Sequence, residues 1–291
     1  MSSLMFGLAI VTLAAGAGAG SDLAEWRKAR EASLLAPGGW LRVAGLFWLT
    51  PDADGAGEFT IGSAADNRVQ LPAAAPAHLG TLLLRNKQVS LRVAPGQNAQ
   101  VNGADVSEAQ LKSDATGRSD TVQVTDLTFR IIERGGRIGV RLYDPHAATV
   151  TEFKGLRWFD ATDKYVVTAK FTPYLPPKEI RITNILGDTA PVGSPGFVTF
   201  KIDGKEYRLD AESEGDGLFF NFKDLTNGKT TYAAGRFLNT AKPKDGVVVI
   251  DFNRATNPPC ANTAYATCPL APKSNYLVVA IPAGEQFSGH H

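Results

Sequence analysis

The sequence is poor in the residue types that most often build metal and nucleophile sites. Its 291 residues include 2 cysteines and 4 histidines, and His290 and His291 are the last two residues. None of the patterns HExxH, GxSxG or CxxC occurs, and no glycine-rich phosphate loop precedes a helix. We therefore expect no metal site and no cofactor, and a histidine-based triad would have to use His78 or His146.

The chain also lacks an excess of either charge. Thirty basic and 29 acidic residues leave a formal charge of +1, and no basic run stands out. Nucleic acid and anionic membrane surfaces are therefore not expected partners. The apolar fraction of 44% and the charged fraction of 20% are typical of a globular protein that buries a substantial core.

The N-terminus has the outline of a secretory signal. A short apolar stretch from Leu4 to Ala15 precedes small residues suited to cleavage after Ala17 or Ala19, although no basic residue occurs before Arg27. Residues 1–20 are predicted to be this signal, with no stable membrane span after its removal, and an N-terminal core helix is the alternative. The predicted location is periplasmic or secreted.

Two cysteines agree with export. Cys260 and Cys268 enclose a short segment, and in an oxidising compartment they are predicted to form a disulfide that pins a loop. A metal site is the alternative, but no histidine lies nearby and two thiols alone make a poor zinc site.

Beyond the signal, the chain is predicted to be mainly β. Helical spacing after Ser21 and Asp22 predicts one helix from Leu23 to Leu35, ended by Pro37-Gly38-Gly39. Later segments are short, rich in Val, Ile, Phe and Thr, and separated by turn residues. The predicted strands are Leu41–Leu49, Glu58–Ile61, Leu82–Arg85, Val89–Val93, Val122–Val124, Leu127–Glu133, Ile138–Tyr143, Tyr165–Phe171, Lys178–Thr183, Phe197–Ile202, Lys205–Asp210, Leu218–Phe222, Val247–Phe252 and Tyr276–Ile281.

Turn residues indicate how these strands are joined. Asp203-Gly204 and the "RGGR" turn at Arg134–Arg137 predict two tight hairpins. The Pro- and Gly-rich stretch "FTPYLPPKEIRITNILGDTAPVGSPG" predicts a long surface loop, within which Lys178–Thr183 forms a short strand. A change of pattern near residues 147–153 predicts two domains, over residues 21–150 and 151–291.

The first of these halves resembles a forkhead-associated domain in outline. The segment from "FTIG" through Asn67 and His78 to Val101-Asn102-Gly103 follows that order over about fifty residues. The resemblance implies a small β-sandwich that reads phosphothreonine. Ser63 stands where the family has an arginine and Ala75 where it has a serine, so phosphopeptide binding is not expected. A larger antiparallel β-sandwich or barrel is predicted to follow.

Almost the whole mature chain resembles a secreted bacterial and fungal family catalogued as domain of unknown function 1684. The resemblance implies a mostly β, exported protein without an established activity, and it provides no catalytic residues. Thr256 stands where the family usually has a tyrosine. The matching blocks are "GWLRVAGLFWL", "GRIGVRLYD", "FKGLRWF", "FKDLTNGKTTYAAGRFL", "DFNRATNPPCANTAYATCPLAP" and "IPAGE".

The "DFNR" tetrapeptide after the apolar run "GVVVI" is the best candidate polar site. Strand alternation would send Asp251 and Asn253 to one face and Phe252 and Arg254 to the other. Asn253, Arg254 and Asn257, with Arg236, could surround an anionic or carbohydrate-like ligand. Alternatively, these residues are structural: Arg254 forms an ion pair with Asp251 or caps the Cys260–Cys268 loop, and Asn257 starts the Pro258-Pro259 turn.

Three functions remain open from the sequence. The first is the binding of a small envelope ligand by Asn253, Arg254, Asn257 and Arg236. The second is a hydrolase that uses Asp251 or Asp224 as general base, with His146 as a weaker candidate that a simple Asp144-Pro145 turn would also explain. The third is an interaction scaffold for another envelope protein. The sequence leaves open whether the protein is an enzyme.

Overall fold

The computed structural model describes residues 18–287, so the predicted signal falls largely outside them. One long helix, α1 (Gly18–Leu35), opens the described chain, and a single helical turn, α2 (Ala148–Thr151), lies between its two halves. The strands before α2 are β1 (Val43–Leu49), β2 (Ala56–Gly62), β3 (Val69–Gln70), β4 (Gly80–Arg85), β5 (Gln88–Val93), β6 (Gln100–Val101), β7 (Ala104–Asp105), β8 (Glu108–Leu111), β9 (Val122–Val124), β10 (Leu127–Arg134) and β11 (Arg137–Tyr143).

After α2 the chain continues as a second group of antiparallel strands. These are β12 (Val166–Thr183), β13 (Thr189–Ile202), β14 (Lys205–Glu214), β15 (Gly217–Phe222), β16 (Arg236–Thr240) and β17 (Val247–Asp251). The prediction of a mainly β protein with an N-terminal helix is therefore confirmed.

Two sheets form a sandwich in the first half. One has the order β1-β11-β10-β9-β6-β7 and the other the order β3-β2-β4-β5-β8. Alternate residues of both sheets, such as Phe59, Leu82, Phe129 and Val140, point into one shared hydrophobic core. The resemblance to a forkhead-associated domain stays a prediction. His78 is largely exposed and lies 3.8 Å from the carboxylate of Asp66.

The second half is built on one six-stranded sheet with the order β16-β15-β14-β13-β12-β17. Its edge strands β16 and β17 contact each other, so the sheet curls into a half-barrel around its own core. That core contains Phe200, Phe220, Phe222 and Phe252, all nearly or fully buried. Asp203 and Gly204 adopt φ angles of 51° and 78° in the hairpin between β13 and β14, as their sequence predicts.

The predicted surface loop at Phe171–Gly196 is wrong, although the strand predicted at Lys178–Thr183 is present as the end of β12. Strands β12 and β13 pair along this stretch as a long hairpin, with one break in register between Pro173 and Lys178. Prolines cannot donate to a ladder, so they are tolerated at irregularities of this kind. The tip of the hairpin reaches the first half, where Asp188 forms an ion pair with Arg137.

The last predicted strand, Tyr276–Ile281, is also wrong. This segment makes only an isolated bridge, between Tyr276 and Lys223, and Val278 is 80% exposed. Isolated hydrogen bonds hold it in place of a ladder, including those from Leu277 N–H to Lys223 and from Leu225 N–H to Val279. An apolar composition alone did not distinguish an irregular, partly exposed segment from a strand.

Helix α1 is fixed to the second half by polar and aromatic contacts more than by an apolar face. Leu23 and Leu34 are its buried leucines. Trp26 packs edge-to-face on Trp158, and Arg27 lies 4.8 Å from the centre of the same Trp158 ring. Within the described residues, no helix is long and apolar enough to cross a membrane.

Candidate functional site

Asp251 ends β17 instead of continuing it through "DFNR". Residues Phe252–Arg254 form a 3₁₀ turn, and the Asp251 carboxylate caps it by accepting the N–H of Asn253 at 3.0 Å. The predicted alternation across Asp251–Arg254 is therefore wrong, because both Phe252 and Asn253 are buried. A capping side chain ends a strand and starts a turn by satisfying a free backbone donor.

Asn253 is fully engaged within the fold. Its Nδ2 group donates to the carbonyl of Thr162 at 3.0 Å and to the Asp251 carboxylate at 2.8 Å. Its Oδ1 accepts the N–H of Thr162 at 3.2 Å. These bonds join the end of β17 to the loop before β12, and they leave Asn253 with no free donor.

Arg254 connects the end of β17 to helix α1. Its Nε lies 3.3 Å from the Asp251 carboxylate, as the structural alternative predicts, and its Nη2 pairs with Asp22. The guanidinium also lies 5.5 Å from the centre of the Trp26 ring. Arg254 therefore joins α1 to the end of β17. Its positive charge is already paired with two carboxylates, those of Asp22 and Asp251.

Arg236 and Asp224 form an ion pair with no solvent exposure on either side. Arg236 Nη1 lies 2.8 Å from Asp224 Oδ2 and donates to the carbonyl of Ile281 at 3.0 Å, while Nη2 donates to the carbonyl of Ala283. The other carboxylate oxygen of Asp224 accepts the N–H of Thr226 at 2.7 Å. Neither residue faces solvent, so neither is placed to contact a ligand or to act as a general base for one.

Asn257 connects two segments of the second half. Its Oδ1 accepts the N–H of Tyr232 at 3.2 Å. Its Nδ2 donates to Glu285 Oε1 at 3.2 Å and to the carbonyl of Gln286 at 3.0 Å. The amide thus ties the loop after β15 to the C-terminal segment.

Glu285 is a buried carboxyl that the sequence analysis did not single out. It is 1% exposed, and its second oxygen lies 3.4 Å from Nε of Arg30 on α1. Burial raises the pKa of Glu285, and the positive charge of Arg30 only partly opposes this effect. The one sequence feature that could have indicated Glu285 is its position in the "IPAGE" block, which resembles the family.

The close approach of the C-terminal segment depends on Gly284. This residue has a φ of +81°, and a side chain there would lie 2.4 Å from the carbonyl oxygen of Ala255 and 2.7 Å from that of Phe252. Only glycine allows both the conformation and the contact. The segment therefore passes directly over the end of β17 and brings Glu285 to Asn257.

A cavity of about 520 Å³ opens on the outer side of this network. We call it the Tyr232 cavity. It is lined by Arg157, Gly228, Lys229, Thr230, Thr231, Tyr232, Ala233, Gln286 and Phe287. Arg157 and Lys229 are exposed, and neither forms an ion pair with another residue of the described range. Asn257 bonds Tyr232 on one wall of the cavity and Gln286 on the other, so this side chain holds the two walls together.

A second cavity, of about 630 Å³, lies in the first half. Its lining includes the basic residues Lys112 and Arg118. It is remote in sequence from the Asn257 network, and its Asp120 carboxylate accepts hydrogen bonds from Asn102 at 2.7 Å and from Lys112 N–H at 2.8 Å.

His146 lies apart from these groups. The backbone N–H of His146 donates to the Asp144 carboxylate at 2.7 Å, and this hydrogen bond closes the predicted Asp-Pro turn. Its exposed ring contacts Asp126 at 2.5 Å, and this hydrogen bond lowers the pKa of Asp126. His290 lies outside the described residues, as does His291. Between residues 18 and 287, no three His, Cys, Asp or Glu side chains gather as a metal site would require.

The two cysteines are close together and buried, as unbonded thiols. The backbone N–H of Cys260 donates to the sulfur of Cys268 at 3.1 Å, and the N–H of Cys268 donates to the sulfur of Cys260 at 3.4 Å. Trp40 and Tyr232 pack against the pair. The predicted proximity is present, while the disulfide itself stays a prediction.

Comparison with known proteins identifies a family without assigning an activity. The family described as "Protein of unknown function (DUF1684)" matches residues 151–286. No curated protein matches the chain. Among solved structures, the solution NMR structure of an uncharacterized protein of Haloarcula marismortui is 32% identical over 48% of this chain and 80% of that one, with a TM-score of 0.41.

Replacing Arg236 tests whether its role is structural. In Arg236→Met, the Asp224 carboxylate keeps no buried counter-charge, so we expect a loss of about 3–5 kcal/mol in the free energy of unfolding, measured with urea. The double variant Asp224→Asn/Arg236→Met should recover part of that loss. A single variant as stable as the wild type would contradict the buried ion pair.

Glu285 should make stability depend on pH. Its folded pKa is raised, so folding favours the protonated form, and stability should fall as pH rises from about 4.3, the ordinary glutamate value, through the raised one. Glu285→Gln keeps the hydrogen-bond acceptor and should remove this fall. Urea unfolding of both proteins across the range checks it, and parallel curves would refute the shift.

Proposed function

The chain belongs to the family DUF1684, and from this premise we propose that it binds a small anionic or carbohydrate-like ligand of the cell envelope in the Tyr232 cavity. Two exposed cations without carboxylate partners in the described range, Arg157 and Lys229, line one cavity of a protein that carries almost no net charge. Placing them together costs electrostatic energy that an anion would offset. This juxtaposition is the observation that carries the proposal.

The chemistry of the lining fits a phosphate ester or a carboxylate with nearby hydroxyl groups. Arg157 offers a planar fork of N–H donors and Lys229 a mobile ammonium group. Thr230 and Gln286 add neutral hydrogen-bonding groups, and the ring of Tyr232 adds an apolar wall that packs edge-to-face with Phe287 at 5.0 Å. Such a wall also suits the apolar face of a sugar.

The candidate residues Asn257, Arg236 and Asp224 would then support the residues that contact the ligand, without contacting it themselves. Asn257 fixes Tyr232 and Gln286 by direct hydrogen bonds. Arg236 and Asp224 hold the segments that carry those residues. The proposed ligand class is the one predicted from "DFNR", but the contacting groups are different.

Export is part of the same proposal. The apolar N-terminal stretch supports it, and in an oxidising compartment Cys260 and Cys268 would form the predicted disulfide. N-terminal sequencing of the mature protein recovered from its producing cells tests this idea. A chain that still begins at Met1 would contradict it.

Ligand binding is tested by calorimetric titration with inorganic phosphate, citrate and a sugar phosphate. Lys229→Ala and Arg157→Ala should each weaken binding about 10- to 100-fold, because each removes a charged hydrogen bond worth roughly 1.5–3 kcal/mol. Arg118→Ala, a basic residue of the second cavity, is the matched control and should bind like the wild type.

Other outcomes separate the remaining functions. Equal binding by Lys229→Ala and the wild type would refute the Tyr232 cavity as the site. Release of product from a sugar phosphate, lost in Asp251→Asn with binding retained, would favour the hydrolase. No binding of any of the three compounds would overturn the proposal and favour a scaffold for another envelope protein.

A further inference from the structure

Helix α1 bonds the stretch of chain that carries one of the two cations of the Tyr232 cavity. The carboxylate of Glu31 accepts the backbone N–H of Leu156 at 2.9 Å, and Arg27 donates through Nη2 to the carbonyl of Phe159 at 3.0 Å. These two contacts lie on either side of Arg157, which lines the cavity. The helix therefore holds the backbone before and after this cation.

Aromatic packing fixes the same stretch between those two hydrogen bonds. Trp158 follows Arg157 directly, and its ring packs edge-to-face on Trp26 of α1, with the ring centres 5.6 Å apart. The guanidinium of Arg27 lies 4.8 Å from the centre of the Trp158 ring. Such contacts add to the free energy of burying the rings. We call residues 156–159, held in this way, the Arg157 segment.

The Arg157 segment is bonded in turn to the C-terminal segment. Gln286 donates its backbone N–H to the carbonyl of Arg157 at 2.8 Å, and Phe159 donates its N–H to the carbonyl of Gly284 at 3.0 Å. These bonds are those of a short antiparallel pairing, so a shift of one partner moves the other. Gln286 lines the Tyr232 cavity as well.

The C-terminal segment then bonds the loop after β15 that carries the second cation. The N–H of Phe287 donates to the carbonyl of Thr230, next to Lys229, at 2.9 Å. Its ring also packs edge-to-face on Tyr232. A continuous series of contacts therefore runs from α1 through the Arg157 segment and the C-terminal segment to this loop.

A second route joins α1 to the same walls. Arg30 donates through Nη2 to the carbonyl of Asn257 at 3.2 Å, and its Nε lies 3.4 Å from the Glu285 carboxylate. The side chain of Asn257 bonds Tyr232 and Gln286. One helix thus supports both the wall that carries Arg157 and the amide that joins the other two.

We propose that helix α1 is a clamp that positions Arg157 and Gln286 at the Tyr232 cavity, with Glu31 and Arg27 as its positioning residues. The ligand in this inference rests on the proposed function, whereas the clamp is a property of the free protein. The family match begins at residue 151, so it omits the clamp. The site is then a composite of the N-terminal helix and the second half.

Preorganisation is the physical reason for such a clamp. A ligand that binds to mobile groups loses affinity, because ordering those groups costs free energy at the moment of binding. With α1 in place, the Arg157 segment is ordered before the ligand arrives. Without its contacts to α1, the segment would open locally more often.

The clamp is tested first in the free protein by native-state amide hydrogen exchange. Glu31→Ala removes the acceptor of the Leu156 N–H. Exchange at Phe159 and Gln286 should become about tenfold faster, relative to the core amide of Leu209 on β14. Glu31→Gln keeps an acceptor oxygen and should restore most of the protection. Faster exchange at Leu156 alone would reveal a purely local contact and would overturn the clamp.

Glu25→Ala is the matched control, because Glu25 is an exposed carboxylate of the same helix. It should exchange like the wild type at both amides. Alanine is the best helix former, so neither substitution weakens α1 itself. If Glu31→Ala does not fold, Arg27→Ala takes its place, with the exposed Lys28 changed to alanine as its control. Wild-type exchange ratios in folded Arg27→Ala would then overturn the clamp.

Calorimetric titration with inorganic phosphate tests the link to ligand binding. Glu31→Ala should bind phosphate about threefold to tenfold more weakly than the wild type. Loss of a negative charge alone would favour an anion, so the sign of this effect identifies the clamp. Glu25→Ala carries the same charge change and should bind at least as tightly as the wild type. Equal or tighter binding by Glu31→Ala would overturn the role of α1 in the site.

Failure of the proposed function gives a different result. If the wild type binds neither phosphate, citrate nor a sugar phosphate, the proposed ligand class is refuted. The exchange rates at Phe159 and Gln286 then decide the clamp by themselves, because they are measured without ligand.

Discussion

The buried ion pair between Arg236 and Asp224 is the constraint on which the second half of the molecule depends. Neither side chain has solvent exposure, so each charge requires the other. Arg236 holds the C-terminal segment because Nη1 donates to the carbonyl of Ile281 and Nη2 donates to the carbonyl of Ala283. Through Thr226, Asp224 starts the loop that leads to Lys229. One electrostatic contact thus sets the two walls of the Tyr232 cavity.

Further polar contacts, made by Asn257 and Glu285, fix the segments that line the Tyr232 cavity. Asn257 joins the two walls directly, and Glu285 extends the network to Arg30 on helix α1. Buried polar groups of this kind specify one arrangement because each loses its partner when the segments shift. The exposed cations Arg157 and Lys229 line the same cavity, and they are the groups that we propose bind the ligand.

The sequence predicts local structure well where one residue type has a strong conformational reason. Asp203-Gly204 gives a tight hairpin because both residues tolerate positive φ. It fails where a side chain redirects the backbone, as Asp251 does by capping the turn at Phe252–Arg254. It fails again at Tyr276–Ile281, where single hydrogen bonds replace a strand ladder.

The candidate residues were polar groups of the right chemistry, but burial changed their role. Asn253, Asn257 and Arg236 were chosen as ligand contacts, and the structure occupies their hydrogen-bonding groups internally. Arg157, Lys229 and Gln286 come together only through long-range folding, which no local pattern encodes. Arg141 lies in "GRIGVRLYD" and Thr267 in "DFNRATNPPCANTAYATCPLAP", and no local pattern predicts the contact between these two segments.

Phosphate titration followed by the backbone amide spectrum of the protein tests the central claim most directly. The account predicts that shifts concentrate on the amides of residues 228–233 and 286, which line the Tyr232 cavity. Smaller shifts should extend to Asn257 behind it. Shifts confined to residues 102–123, around the second cavity, or no shifts at phosphate concentrations that saturate a weak site, would contradict it.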